Sequence, residues 1–356
     1  MIELKGMALS TFFISSYTQL LSPEIVGFGD GISSVQLNEE TGELSVLHTK
    51  KTTNPSYLAI STDNKFLYCN TEVIEEMSPK VQAYRIKDDY SLQFLNEQPI
   101  SGGCPCHIAL FENKVLVACY ISGNMLEYPI DESGKLLECV KSHQHTGSSV
   151  NPERQEAAHA HQVAVHPNKR DVYVCDLGID TLKAYEVQEN KLTPNPRKDI
   201  SVSKGGGPRH FVFNSDGSLG YVINELTAAV SVLKNKGTKF EQIGSYNSLP
   251  DSYQDNPSAS AIRIHPNSKF LYVANRIFDA ITIFGIKGDS LELLDYQHTN
   301  GKEIREFNIS PNGNWLIACH QNSNDTIVYK IKPDGKLMEV HRTKAIKTPV
   351  CVTFLK

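Results

Sequence analysis

The chain has 356 residues, of which 40% are hydrophobic and 21% are charged, and its formal net charge is −5 at pH 7. This composition is ordinary for a globular protein and excludes the excess of lysine and arginine expected of a nucleic-acid binder. No apolar run approaches the roughly 18 to 20 residues of a membrane-spanning helix, and the N-terminal segment lacks the apolar block of a secretion signal. The sequence therefore predicts a cytoplasmic protein that binds neither nucleic acid nor membrane.

The number and spacing of the cysteines also indicate a cytoplasmic protein. There are eight cysteines and no Cys-x-x-Cys spacing. Four of them fall in apolar, strand-like runs, where a free thiol behaves as a small hydrophobe: Cys69, Cys119, Cys175 and Cys319. The close pair Cys104 and Cys106 suits neither a typical zinc site nor an unstrained disulfide. We interpret all eight as reduced thiols.

In chain order, one pattern recurs six times: a short alternating strand, a polar turn and a second apolar strand. The copies span Pro55–Tyr68, Pro105–Val117, Ala160–Val174, Pro208–Tyr221, Ser260–Val273 and Arg305–Ile317. Corresponding turn positions are 45 to 56 residues apart. This regular spacing indicates an internal repeat of one structural unit.

Each copy is followed by further strands. A third strand is predicted at Val81–Ile86, Gly123–Ile130, Thr181–Val187, Ala229–Leu233, Ala280–Ile286 and Thr326–Ile331. A fourth follows, for example at Leu136–Val140 and Leu291–Tyr296. Four short strands per unit, without long helical periodicity, are typical of a propeller blade.

The two ends of the chain complete the count. Pro349–Leu355 matches a first strand, and Ser10–Thr18, Gly31–Leu37 and Leu44–Lys50 match second, third and fourth strands. A blade shared by both ends would close the ring and leave no open sheet edge. We therefore predict an all-β, seven-bladed propeller of four-stranded antiparallel blades, forming a single domain over residues 1–356.

Two insertions interrupt the repeat, at Lys141–Ala158 and at Ser248–Ala259. Long loops in a compact repeat fold are commonly functional. The run Gly205–Gly207 is no phosphate-binding P-loop, because neither Lys-Ser/Thr nor a helix follows it. It is either a blade linker or a set of backbone N–H groups facing an anion.

Polar residues gather at one face of the predicted ring. The starts of the innermost strands supply His107, His159, His161, Arg209, His210 and Arg305. The ends of the second strands supply Glu72, Tyr120, Asp176, Asn224, Glu225, Asn275, Arg276, His320 and Gln321. Any one of them could merely stabilise a turn. Together they favour a site for a small anionic ligand, since arginine suits carboxylate and phosphate oxygens.

A metal site is the alternative at this face. His159 and His161 could share one face of a strand, and His143 and His145 precede them. The nearby carboxylates, however, flank Arg154, and the segment shows no tight ligand spacing. We therefore predict no metal and no cofactor.

Nine motifs carry a more specific signal. They are Asn151–Glu156, His159–His161, Asp176–Gly178, Asp180, Gly206–His210, Asn224–Leu226, Ala274–Arg276, Arg305–Asn308 and Gln321–Asn324. In this order they resemble the seven-bladed propeller lactonases, which include the propeller-type 6-phosphogluconolactonases and the fungal carboxy-cis,cis-muconate cyclases. The chain departs from the family pattern at Ser260–Ile262, where a carboxylate is missing, at Ile304 and Glu306, and at His320.

The resemblance implies a sugar-lactone hydrolase, above all a 6-phosphogluconolactonase of the pentose phosphate pathway. A lactonising isomerase of the cyclase type and a non-catalytic interaction scaffold are the alternatives. The implied catalytic residues are His161, Arg209 and Glu225, with His161 or Glu225 as the base and Arg209 as the oxyanion partner. The expected substrate-binding residues are Arg276, Arg305, His107, His159, His210, Gln321 and Asp176. A monomer or weak homo-oligomer acting on a small anionic lactone is expected.

Overall fold

The computed structural model describes residues 8–22, 25–189 and 191–356. Over these residues the chain forms 31 strands and three three-residue 3-10 helices, at Glu75–Met77, Leu177–Ile179 and Pro196–Lys198. Seven of its sheets are antiparallel blades, and a short additional hairpin lies near the N-terminus. Short alternating apolar stretches separated by polar turns explain why strands dominate.

The strands follow the predicted repeat. The first part of the chain contains β1 (Leu9–Ser16), β2 (Leu20–Ser22), β3 (Ile25–Val26), β4 (Gly31–Asn38) and β5 (Leu44–Lys51). Blade 1 contains β6 (Pro55–Ile60), β7 (Phe66–Thr71), β8 (Lys80–Ile86) and β9 (Leu92–Pro99). Blade 2 contains β10 (Pro105–Phe111), β11 (Lys114–Cys119), β12 (Asn124–Pro129) and β13 (Lys141–Gln144). Blade 3 contains β14 (Ala160–Val165), β15 (Asp171–Asp176), β16 (Thr181–Gln188), β17 (Lys191–Pro194) and β18 (Ile200–Ser201).

The second half continues in the same way. Blade 4 contains β19 (Pro208–Phe213), β20 (Leu219–Asn224), β21 (Ala229–Asn235) and β22 (Phe240–Asn247). Blade 5 contains β23 (Ala259–Ile264), β24 (Phe270–Asn275), β25 (Ala280–Lys287) and β26 (Ser290–His298). Blade 6 contains β27 (Ile304–Ile309), β28 (Trp315–His320), β29 (Asp325–Ile331) and β30 (Leu337–Thr343), and β31 (Pro349–Phe354) follows.

The ring is closed by the seventh sheet, which we call the closing blade. Its strand order is β31-β1-β4-β5, so it combines the two ends of the chain as predicted. Phe12 pairs with Phe354 and Ile14 with Val352, and the two phenyl rings lie 4.9 Å apart. The innermost strand of each blade contacts those of both neighbours, which makes the fold a seven-bladed β-propeller.

The core lies between the faces of adjacent blades rather than at one centre. Buried side chains from neighbouring sheets form a series of apolar clusters around the ring. Buried tyrosines place their hydroxyl groups at the adjacent blade, as when Tyr68 Oη donates to the Gly134 carbonyl oxygen at 3.0 Å. Tyr272 makes the same contact with Gly335 at 2.8 Å. The central channel of the ring is thus lined by the innermost strand of each blade.

One predicted strand is wrong. The fourth strand of blade 2 was expected at Leu136–Val140, but it runs over Lys141–Gln144 and pairs with β12. Val140 is 58% exposed, whereas His143 is buried and its Nε2 lies 2.7 Å from Glu127 Oε1. A histidine hydrogen-bonded to a glutamate therefore replaces the apolar side chain that usually marks the inward face of a strand. The insertion expected to begin as a loop at Lys141 begins as this strand.

Candidate active site

A β-bulge lies at the start of every innermost strand, beside the mouth of the central channel. The pairing of β14 with β15 passes from Ala160 to Gln162 and leaves out His161. The same irregularity leaves out Arg209 in β19 and Arg305 in β27. A bulged residue escapes the strict alternation of a strand, which re-aims its side chain. The bulges thus bring one histidine and two arginines from three blades to one place.

These side chains line a cavity of about 520 Å³ at the channel mouth. That volume is in the usual range for a small-molecule site. Its charged lining consists of Arg154, Arg209, Arg276, Arg305, Glu72, Glu225 and Glu303. His161, Tyr120 and Gln321 also face it, together with apolar side chains such as Ile121 and Ile277. Among the described residues, four guanidinium groups against three carboxylates give this lining one positive charge in excess.

Glu225 is the carboxylate that contacts three of these four arginines. Its Oε1 is 2.7 Å from Arg154 Nη2 and 2.9 Å from Arg276 Nη2, and its Oε2 is 3.0 Å from Arg209 Nε. Burial opposes ionisation of the carboxyl group, but the three guanidinium groups hold the pKa of Glu225 well below its ordinary value. Glu225 is therefore a carboxylate that holds three arginines together, and we call these four residues the mouth cluster.

Arg209 is the most enclosed cation of the mouth cluster. Its Nη1 donates to the Ser260 carbonyl oxygen and lies 3.3 Å from His210 Nε2. Burial, with repulsion from Arg276, lowers the pKa of Arg209 to about 10, against the opposing attraction of Glu225. The guanidinium group stays protonated at neutral pH, in a fixed orientation and largely removed from water.

His161 supplies the neutral polar group of the site. It is buried, and its ring lies 5.8 Å from that of Tyr120 and 5.4 Å from that of His210. Burial lowers the pKa of His161 well below its ordinary value, and repulsion from Arg209 is the second cause of this shift. The imidazole is therefore uncharged at neutral pH, with a lone pair on one of its two nitrogens.

Arg305 is held by the closing blade and blade 1. Its Nη2 donates to Tyr17 Oη at 2.8 Å, and that hydroxyl donates in turn to Glu72 Oε2 at 2.8 Å. Arg305 Nη2 also lies 3.8 Å from Glu72 Oε1. Burial opposes its charge, but Tyr17 and Glu72 raise the pKa of Arg305. This arginine is thus a permanent cation with a defined position.

A second polar group lies along the channel, and we call it the channel cluster: Tyr57, His107, His210, Arg263 and Glu306. Glu306 Oε1 is 3.0 Å from Arg263 Nη2, and Tyr57 Oη donates to Glu306 Oε2 at 3.2 Å. The His107 ring packs at 4.1 Å on that of Tyr57 and at 5.9 Å from that of His210. Burial lowers the pKa of both imidazoles well below the ordinary value.

The seven predicted binding residues divide into three groups. Arg276, Arg305 and Gln321 line the mouth cavity, as their positions in the repeat led us to expect. His210 lies below, along the narrow part of the channel, and His107 lies in the channel cluster outside the cavity lining.

His159 and Asp176 are placed differently from the expectation, because neither lines the cavity. The His159 ring stacks at 4.5 Å on Tyr120, and its two nitrogens contact the Tyr120 carbonyl oxygen at 2.9 Å and Glu156 Oε1 at 3.0 Å. Asp176 is fully buried; its Oδ2 lies 2.6 Å from His145 Nδ1, and its Oδ1 accepts from the His159 amide. These contacts hold the loops behind the site.

Two of the histidines weighed as metal ligands, His159 and His145, are likewise engaged elsewhere. Both ring nitrogens of His159 have protein partners, and His145 is bound between Asp176 and Tyr185. Within residues 8–22, 25–189 and 191–356, no three His, Cys, Asp or Glu side chains converge as a metal ion would require.

Arg154 is the main site residue that the sequence reasoning missed. It lies in the insertion between β13 and β14 and binds both Glu225 and Tyr120 Oη, the latter at 3.1 Å. Its side chain is 42% exposed, so it is the most accessible partner of Glu225. Two signals were available: its place in a long insertion, and its place in the motif Asn151–Glu156.

Asp180 explains how that insertion reaches the site. Its Oδ1 accepts from Gln155 Nε2 at 2.7 Å and from the Gly207 amide at 2.8 Å, and its Oδ2 accepts from the Gly205 amide at 2.7 Å. Gly205 and Gly207 have φ values of 78° and 67°, which only glycine adopts readily. The two amides thus bind a protein carboxylate, which supports the linker interpretation of Gly205–Gly207.

The family to which this architecture belongs follows from comparison with known proteins. The model of the family "Lactonase, 7-bladed beta-propeller" matches residues 11–354. The chain belongs to this lactonase family. The lactonase is 33% identical over 354 residues to the 6-phosphogluconolactonase of Bacillus subtilis, covering 96% of this chain and 97% of that one. It is 31% identical over 327 residues to the 6-phosphogluconolactonase of Formosa agariphila, with 88% and 92% covered.

Solved structures agree with the fold of the lactonase. A putative 6-phosphogluconolactonase from Bacteroides fragilis superposes with a TM-score of 0.91 at 29% identity, covering 98% of both chains. In the part of the lactonase that the structure describes, no helix has the length and apolar character required to cross a membrane.

Proposed function

We propose that this lactonase hydrolyses 6-phosphoglucono-δ-lactone to 6-phosphogluconate. The observation that carries the proposal is a neutral imidazole, His161, in a cavity that also holds four arginines. The substrate carries a phosphate, and its product carries a phosphate and a new carboxylate. Both are groups that guanidinium binds well. The two relatives named 6-phosphogluconolactonase support the same substrate.

His161 acts as the general base in this proposal. It takes a proton from a water molecule as the water oxygen bonds to the lactone carbonyl carbon. The carbon–ring oxygen bond then breaks and the ring oxygen receives that proton, which gives a free hydroxyl and a carboxylic acid. The acid releases its remaining proton to solvent and becomes the carboxylate. His161 is uncharged at pH 7, so a ring nitrogen has a lone pair with which to take that proton, and the nearby Glu225 carboxylate favours the imidazolium that forms. Glu225 is a weaker candidate for the base, because both of its carboxylate oxygens are already bound by arginines.

Arg209 stabilises the negative charge that develops on the carbonyl oxygen. It is buried, protonated and fixed by Glu225, so little reorganisation is required during the reaction. Arg276, Arg305 and Arg154 are then available for the phosphate. Arg154 is the most exposed of the three and suits the end of the substrate nearest to solvent.

The test is a lactonase assay on freshly prepared 6-phosphoglucono-δ-lactone, corrected for spontaneous hydrolysis. We expect the wild-type protein to hydrolyse it with a higher kcat/KM than glucono-δ-lactone. His161→Gln should lower kcat by about 10²-fold, the usual scale for loss of a general base. The matched control is His265→Asn, since His265 is also buried but contacts the Gly313 carbonyl oxygen in a turn away from the channel.

Each contrary result points to a different error. Wild-type turnover of neither lactone would overturn the proposed hydrolysis. Turnover of a carboxymuconolactone alone would replace it with a lactonising isomerase. No turnover and no thermal shift with 6-phosphogluconate would favour the non-catalytic scaffold. A His161→Gln enzyme as fast as wild type would remove His161 from the mechanism and leave the substrate unaffected.

A further inference from the structure

A small cavity lies directly below His161, between the mouth cluster and the channel cluster. Its volume is about 10 Å³, close to the minimum that holds one water molecule. His161, His210, Glu72 and Glu306 are among its lining residues. A buried water is stable only where the protein offers it two to four polar partners. The lining of this cavity meets that condition.

Two of the lining residues carry a buried imidazole nitrogen that needs a partner. His161 Nδ1 and His210 Nδ1 are both buried, and neither has a hydrogen-bond partner among the described residues. The two side chains belong to residues that are only 6% and 2% exposed, so bulk solvent does not supply that partner. Buried polar atoms in native proteins are almost always satisfied by protein or by ordered water.

The proton position on His210 can be deduced from its other nitrogen. Arg209 Nη1 lies 3.3 Å from His210 Nε2. A guanidinium group can only donate, so Nε2 must accept. A neutral imidazole carries one proton, which is therefore on Nδ1. His210 Nδ1 lies 3.8 Å from Glu306 Oε2, which is too far for a direct hydrogen bond.

The two carboxylates that line the cavity supply acceptors. Glu306 is paired with Arg263 at 3.0 Å, and Glu72 accepts from Tyr17 Oη at 2.8 Å. A water molecule has two donor and two acceptor sites. If it donates to these two carboxylates, it can only accept from the two imidazoles. Both rings must then present an N–H group to it, including His161 through Nδ1.

We propose that one buried water, held by Glu306, Glu72 and His210, fixes His161 in the tautomer that carries its proton on Nδ1. The Nε2 lone pair of His161 is then available to the mouth cavity, where the base of the proposed hydrolysis is required. This inference rests on the proposed function for its kinetic consequence. Glu306 and His210 are accordingly positioning residues, which act on the reaction through His161 and do not touch the substrate.

The first test needs no substrate. In the wild-type enzyme at pH 7, with ¹⁵N-labelled histidine, the His161 ring should show a protonated Nδ1 and an unprotonated Nε2, and a crystal structure should show one water between the two rings. His161→Gln assigns the resonances, and His265→Asn should leave them unchanged. A His161 ring protonated on Nε2, or a cavity without a water, would overturn the proposal whether or not the protein is a lactonase.

The second test uses Glu306→Gln and His210→Phe. Glu306→Gln replaces a pure acceptor with a group that can also donate, and His210→Phe removes the second N–H group. We expect each to increase the Nε2-protonated fraction of His161 and to lower kcat about 10-fold with KM unchanged, because the wrong tautomer cannot act as the base. An unchanged tautomer and an unchanged kcat in both folded variants would contradict the positioning role. Circular dichroism and the melting temperature identify a variant that has failed to fold; the wild-type measurements then still decide the proposal.

Discussion

The mouth cluster and the channel cluster are both built around one buried glutamate, yet they differ in charge and in access. Glu225 contacts three arginines beside an open cavity. Glu306 contacts one arginine and a tyrosine hydroxyl in a narrow part of the channel. The first group has positive charge left over for a ligand, whereas the second balances its own charge. From this difference we infer that the mouth cluster binds the ligand, whereas the channel cluster positions the side chain of His161.

Removing the glutamate of the mouth cluster should have the largest effect. Glu225→Gln leaves Arg209 buried without its carboxylate and releases Arg154 and Arg276. We expect a loss of about 3–5 kcal/mol in the free energy of unfolding, the scale for breaking a buried ion pair from one side. Turnover should fall by about 10²-fold, because the oxyanion partner loses its orientation. Denaturant unfolding and the lactone assay measure the two losses.

Glu292→Gln is the matched control, since Glu292 lies 3.5 Å from Lys287 in an exposed pair. Exposed pairs contribute at most about 1 kcal/mol, so this variant should remain close to wild type. Equal losses in the two variants would show that the mouth cluster is no more important to stability than a surface pair.

The neutral histidines of both clusters should make stability depend on pH. His107, His161 and His210 have pKa values well below 6.5 in the folded protein, chiefly through burial and secondarily through nearby arginines. In the unfolded chain each binds a proton near pH 6.5. The unfolded state therefore binds more protons below that pH, and the free energy of unfolding should decrease as the pH falls. The slope is about 1.4 kcal/mol per pH unit for each histidine.

Unfolding by guanidinium chloride at pH 7.5, 6.5 and 5.5 measures that slope. His107→Gln should reduce it by the contribution of one proton. A free energy of unfolding that stays constant over this range would show that the three rings bind protons near pH 6.5 in the folded protein as they do in the unfolded chain, which would contradict their lowered pKa values.

Arg154 should give the smallest change in stability and a selective change in binding. Its side chain is partly exposed, and Glu225 retains Arg209 and Arg276 without it. Arg154→Ala should change the free energy of unfolding by less than about 1 kcal/mol. We expect KM for the phosphorylated lactone to rise about 10-fold, the scale of one charge-assisted contact, with kcat little changed. An equal rise in KM for glucono-δ-lactone would show that Arg154 does not contact the phosphate.

The repeat was predictable because its signals are local. Alternating apolar residues and polar turns determine each hairpin, so all six third strands and the shared closing blade lie where the pattern placed them. The fourth strand of blade 2 was missed because Val140 looks like a strand residue and His143 does not. Its inward position depends on Glu127, whose place in β12 only the folded sheet defines.

The site was predictable only in part. Repeat position was enough to bring His161, Arg209 and Glu225 to one end of the ring. It could not show that a bulge re-aims His161 while its neighbour His159 packs behind the cavity against Tyr120. The path of the insertion that carries Arg154 depends on the contacts of Asp180. Such contacts between distant loops leave no periodic trace in a single sequence.

The closing blade also bears on how the protein folds. Blades 1 to 6 are each built from strands that follow one another, so each can form through local contacts. The pairing of Phe12 with Phe354 joins segments from opposite ends of the sequence, and contacts between such distant segments form slowly. We expect the β1–β31 seam to order late in folding. Interactions that form after the rate-limiting step mainly slow unfolding. The contacts between β1 and β31 should therefore lower the unfolding rate of the whole ring.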